Sequence, residues 1–170
     1  MPGLKAILAA AMLVSASVPV ALAQSKTAAA VLPGAEVRGA ATLRFLGFPL
    51  YQARLFTVGG AALNWSQNFG IELTYLRDLT QYDLVEATLR EFKRTGGALP
   101  LEAQLNTCFK AVGNGDRYLA VSDGANKVAF WRNGQRTCTL SHPQIKRRFM
   151  GIFVGENTRS KSFTRKLLGS

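Results

Sequence analysis

Histidine is almost absent from this chain: His142 is the only one in 170 residues. It stands beside Pro143, where a cap at a helix start accounts for it. A lone histidine so placed speaks against Ser-His and Cys-His nucleophilic pairs. No group of His, Cys and carboxylates has metal-ligand spacing. There is no G-x-S-x-G elbow and no glycine-rich phosphate loop. Carboxylates are scarce as well, 10 against 21 lysines and arginines. Most fall at helix starts, turns or polar faces. Glu72 instead stands mid-strand between apolar neighbours, and a salt bridge across a sheet to Arg44 or Arg54 accounts for it. Nothing in the sequence calls for a metal or a cofactor.

Cysteine is nearly missing too. Cys108 and Cys138 both fall on apolar faces. Either they form a disulfide or they are two buried free thiols, and spacing alone does not decide between them.

What the chain has in excess is positive charge, a formal +11. In a cytosolic protein that would suggest nucleic acid. The N-terminus points elsewhere. Lys5 precedes the apolar run Ala6–Val14, the run resumes over Val18–Leu22, and Ala21-Leu22-Ala23 is an A-x-A cleavage site. The run is too short for a membrane span. The expectation is a signal peptide over residues 1–23, a mature chain starting at Gln24, and export to a bacterial periplasm. Processing removes only Lys5 from the charges. The rest are dispersed apart from Lys146-Arg147-Arg148 and the C-terminal Arg159, Lys161, Arg165 and Lys166. These read as solvated helix faces with a weak attraction for anionic lipid headgroups, and no nucleic-acid partner is expected.

A flexible lead-in over residues 24–33 then gives way to one domain over residues 34–170. Thr42–Phe56 reads as two strands joined at Gly47-Phe48-Pro49. Leu43 and Phe45 alternate with Thr42 and Arg44; Tyr51, Ala53 and Leu55 alternate with Gln52 and Arg54. Val37-Arg38-Gly39 precedes them as a short strand of its own. Phe69–Tyr75 alternates as a further strand. Thr80 and Asp83 are spaced as a capping box, the helix behind them stops at Gly96-Gly97, and Pro100 opens a second helix. Arg117–Asp123, Lys127–Arg132 and Gln135–Leu140 are strands, the last two joined by the hairpin signal Asn133-Gly134. Ser141 to Gln144 reads as another capping box, and Thr158 or Ser160 caps a last short helix. This order predicts an α+β domain, a largely antiparallel sheet with helices on one face. Within it, Arg44 and Tyr51 on one hairpin suggest a guanidinium and a phenol gripping a carboxylate.

The runs GAEVRGAATLRFLGFPLYQARLF, IELTYLRDLTQYDLVEATLREF, FWRNGQ and FMGIFVGENTRSKSFTRKLLG resemble the secreted bacterial branch of the chalcone isomerase-like proteins, from about Gly34 to Gly169. The resemblance implies an open-faced β-sandwich. It implies a family of plant enzymes that close a flavanone ring and of relatives that bind fatty acids without catalysis. It places the enzymes' strand arginine at Arg38 or Arg44, and Tyr51 near their strand threonine. Where the enzymes carry a tyrosine and a lysine, this chain has Pro100 and Ala103, so the polar network around a substrate is broken. The function expected is non-catalytic binding of a small hydrophobic carboxylate such as a fatty acid, anchored by Arg44 and Tyr51, with Arg38 as the other anchor. The alternatives are an isomerase of the chalcone isomerase type and a partner-binding factor of the cell envelope. A deep cleft at Arg44 would favour ligand binding or catalysis; a filled core there, with an exposed apolar patch elsewhere, would favour a partner.

Overall fold

A computed structural model describes residues 27–170. The expected signal peptide and the start of the lead-in lie outside the described residues. Six strands form one sheet in sequence order, every neighbouring pair antiparallel. They are β1 (Ala35–Phe45), β2 (Phe48–Val58), β3 (Gly70–Tyr75), β4 (Arg117–Asp123), β5 (Lys127–Arg132) and β6 (Gln135–Ser141). Helices α1 (Gln81–Gly96) and α2 (Glu102–Cys108) lie between β3 and β4. After β6 come α3, a π-helical turn over Lys146–Met150 running into Gly151–Val154, and α4 (Lys161–Leu167). This is the α+β fold that the alternation and the order of elements imply.

Local chemistry accounts for most boundaries. Thr80 and Asp83 form the expected capping box at α1, and Gly97 ends the helix with its N–H on the Lys93 carbonyl. Ser160 caps α4 by accepting from the Phe163 N–H. Asn133 and Gly134 turn β5 into β6 with φ of 48° and 85°, the two positive values of a type I′ turn. The β1–β2 turn has the same form but sits on Leu46 and Gly47, at φ of 49° and 82°, one residue earlier than the expected join. The capping box at Ser141 and Gln144 does not form. Gln104 Oε1 takes the Ser141 N–H and Asn126 Oδ1 takes the Gln144 N–H, both at 2.9 Å, and Gln144 turns to φ 60°. Tertiary acceptors have claimed the groups that the box would have used.

One sheet face packs against the helices. Ala53, Leu55, Ile71, Val128 and Leu140 meet Phe92, Leu105, Ile145, Met150 and Leu167 in a single buried cluster. A disulfide, not two free thiols, joins Cys108 of α2 to Cys138 of β6, with Cα atoms 5.0 Å apart. The opposite face carries a smaller cluster. Residues 27–31 are helical rather than a loose lead-in, and Ala28 and Leu32 are buried against Phe56, Leu119 and Val121. On that face Arg54 and Glu72, register partners across β2 and β3, form the expected salt bridge at 2.5 Å.

Val37 to Gly39 is not a separate strand. It belongs to β1, with Arg38 as the extra residue of a bulge. A Cβ at Gly39 would run into the carbonyls of Lys166 and Leu167. Glycine therefore lets the C-terminus of α4 rest directly on β1.

Candidate functional site

The sheet places the three candidate anchors in three different surroundings. Arg38 is committed to structure: its Nε donates to the Leu168 carbonyl at 2.9 Å and its Nη1 to the Gly60 carbonyl at 3.4 Å. It closes the C-terminus of α4, where carbonyls lack helical partners. Arg44 is exposed, and its hydrogen bond goes to the Gly47 carbonyl of its own turn at 3.2 Å. The residue opposite Tyr51 is Leu43, while Arg44 stands opposite Pro49, because the pairing shifts between Leu43 and Arg44. Arg44 and Tyr51 therefore do not form the expected guanidinium–phenol grip.

Tyr51 belongs to the helix-covered face. Its register partner on β3 is Tyr75, a residue that the sequence reading left unassigned. The two rings meet edge to face at 6.1 Å, and Tyr51 also meets Phe153 of α3 at 6.4 Å and Phe163 of α4 at 6.2 Å. Burial raises the Tyr51 phenol well above its ordinary range, and the Glu91 charge adds to it. Burial raises Tyr75 likewise, with Tyr51 and Tyr118 as further causes. Both stay neutral and so remain hydrogen-bond donors. Tyr118 is tied up: its hydroxyl accepts from the Lys110 N–H and donates to the Cys108 carbonyl. Among the described residues no such bonds hold the Tyr51 or Tyr75 hydroxyl.

Glu91 of α1 supplies the nearby charge. Its side chain is 13% exposed and pairs with Arg94 at 2.5 Å and with Arg159. Burial pulls this carboxyl up, but the hydrogen bonds from Arg94 and Arg159 outweigh it and hold it below its ordinary value. Two phenols, one carboxylate and two guanidiniums thus gather near the edge of an otherwise apolar layer.

Aromatic rings line the layer. Rings run edge to face from Tyr51 through Phe153, Phe149 and Phe130 to Phe109, at centroid separations between 5.1 and 6.4 Å. A deep cleft at Arg44, the feature that would have favoured ligand binding most simply, is not what surrounds that residue. Two surface hollows of about 170 and 300 Å³ share Trp65 and Arg147 in their walls, and neither is lined by Tyr51. Pro100 and Ala103, at the positions where the resemblance puts the enzymes' tyrosine and lysine, are both exposed. Among the described residues there is no cluster that could hold a metal ion and no helix long and apolar enough to cross a membrane.

No known protein family and no curated protein matches the chain. Among solved structures it is similar to the Arabidopsis thaliana fatty-acid binding protein AtFAP1, with a TM-score of 0.61 and 12% identity over 81% of this chain and 88% of that one. The likeness is one of fold. It covers the antiparallel sheet with helices over one face, the architecture expected from the chalcone isomerase-like resemblance.

Proposed function

We propose that the protein is an exported, non-catalytic binder of a small hydrophobic carboxylate such as a fatty acid. The carboxylate meets the phenols of Tyr51 and Tyr75, and the tail lies between the sheet and helices α3 and α4. The observation that carries this reading is the Tyr51–Tyr75 pair, two neutral phenols whose ring centroids lie 6.1 Å apart under an apolar roof. A buried carboxylate needs donors of this kind. The fold of a fatty-acid binding protein supports the same ligand class.

Entry of a tail requires Phe153 and Phe163 to move aside. Phe153 lies in the last four residues of α3 and Phe163 on a helix of seven. Helices that short are held by packing, not by their own propagation, so repacking them around a ligand costs little helical structure. Ring closure would need a positioned acid and an electrostatic partner, and the exposed Pro100 and Ala103 supply neither.

Mass spectrometry of lipids extracted from the purified protein tests the reading. Fatty acids in near-stoichiometric amount are the expected result. Lipid-free protein that takes up no added fatty acid would reject it. N-terminal sequencing of the exported form should begin at Gln24.

A further inference from the structure

The end of the β1–β2 hairpin is apolar and unpacked. Phe45, Leu46 and Phe48 are 62, 81 and 63% exposed. Leu76, 36% exposed, adjoins them, because its N–H is bonded to the Leu50 carbonyl at 3.0 Å. The fold does not require this composition. The β5–β6 hairpin makes the same turn with Asn133 and Gly134. There the positive φ falls on asparagine, a residue suited to it, whereas here it falls on leucine, for which it is unfavourable. Leucine at this position neither eases the turn nor fills the core. It faces what lies beyond the surface.

The charges around the tip say what that is. Arg77 places its guanidinium 5.7 Å from the centre of the Phe48 ring, and Arg44 folds over the Gly47 carbonyl. Among the described residues neither is in an ion pair. Asp78, the acid next to Arg77, has a carboxylate oxygen 3.3 Å from where a Cβ on Gly113 would stand, so it is turned toward that turn. Apolar side chains at a point, flanked by Arg44 and Arg77 on a chain that keeps a strong positive charge after Lys5 is removed, match an interface that is apolar within and anionic at its rim.

We propose that the Phe45–Phe48 hairpin tip docks the protein onto an anionic phospholipid surface. Phe45, Leu46 and Phe48 enter the headgroup–acyl boundary while Arg44 and Arg77 meet lipid phosphates. The tip lies at the same end of β2 as Tyr51, but its proposed role stands whether or not the phenols bind a fatty acid.

The test reads the tip itself, so that attachment through any other part of the chain does not mimic it. Mature Leu46→Trp protein, beginning at Gln24, is mixed with phosphatidylcholine vesicles with and without phosphatidylglycerol. Fluorescence is read as a difference from wild type, which carries Trp65 and Trp131. With phosphatidylglycerol the added tryptophan should shift to the blue and be quenched by brominated lipid. Phosphatidylcholine alone should give a much weaker response. Phe48→Ser should weaken partitioning of the tip about tenfold or more, the scale of one buried apolar side chain, and Arg44→Gln with Arg77→Gln should remove the preference for anionic lipid. Two results overturn the proposal. In one, the tip tryptophan stays as open to an aqueous quencher with anionic vesicles as without them. In the other, it shifts to the blue with rising protein concentration in the absence of lipid, which would make the tip a contact between protein chains.

Discussion

Tyr51 and Tyr75 are register partners on adjacent strands, with rings edge to face at 6.1 Å on the helix-covered side of the sheet. Each is neutral for the same reason, burial. A pair of this kind holds two donors in fixed relation at the boundary of an apolar layer, and the functional reading turns on it.

The opposite face makes a prediction about stability. Glu72 is 2% exposed and its charge is met by Arg54 at 2.5 Å. Removing Arg54 strands Glu72 in a buried site, whereas Arg54 is partly exposed. Arg54→Ala should cost about 3–5 kcal/mol in urea unfolding, and Glu72→Ala less. Replacing both by apolar residues of similar size, Arg54→Met with Glu72→Leu, should restore most of that. Arg54→Ala costing under about 1 kcal/mol would show that water reaches the pair.

The Cys108–Cys138 bridge spans 30 residues of sequence. A loop of that length contributes about 3–4 kcal/mol on the chain-entropy account. Reduction should lower the urea midpoint accordingly, and Cys108→Ala with Cys138→Ala should match the reduced protein. Equal midpoints with and without reductant, with the bridge intact beforehand, would contradict this.

Acid should unfold the protein partly through Asp116. A hydrogen bond from the Gly113 N–H and one from the Asn133 side chain, with a lesser part from Arg132, hold its carboxyl below its ordinary 3.8 against the opposing effect of burial. A carboxyl depressed in the folded state stabilises it fully above the ordinary value, and this is lost as pH falls through the lower, folded one. Stability measured against pH should therefore fall below about 3.8. Asp116→Asn should flatten that limb and leave a protein less stable at neutral pH. An unchanged acid limb would remove Asp116 from the account.

Much of the fold was legible because its signals are local. Thr80 with Asp83 and Asn133 with Gly134 depend on residues a few positions apart, and both act as read. Strand alternation put Tyr51 with Ala53 and Leu55, and that face is the inner one. What stands opposite Tyr51 is set by strand pairing. The irregularity between Leu43 and Arg44 makes that residue Leu43, where an unbroken ladder from the turn would have put Thr42. Tyr75 became part of the site only because β3 follows β2 in the sheet across a loop of irregular chain. Ser141 and Gln144 matched a capping pattern, yet Gln104 and Asn126, distant in sequence, took their N–H groups. Arg38 was legible as a special position but not as a clamp on α4, since the helix that it closes lies 130 residues further on.

Calorimetric titration of a long-chain fatty acid into the purified protein tests the central claim most directly. Wild type should bind saturably at one site per chain. Tyr51→Phe should bind about two- to tenfold more weakly, the scale of one neutral hydrogen bond, and Tyr51→Phe with Tyr75→Phe more weakly still. Arg44→Ala should bind as wild type does. An undiminished affinity in the double variant, or a loss confined to Arg44→Ala, would contradict the account.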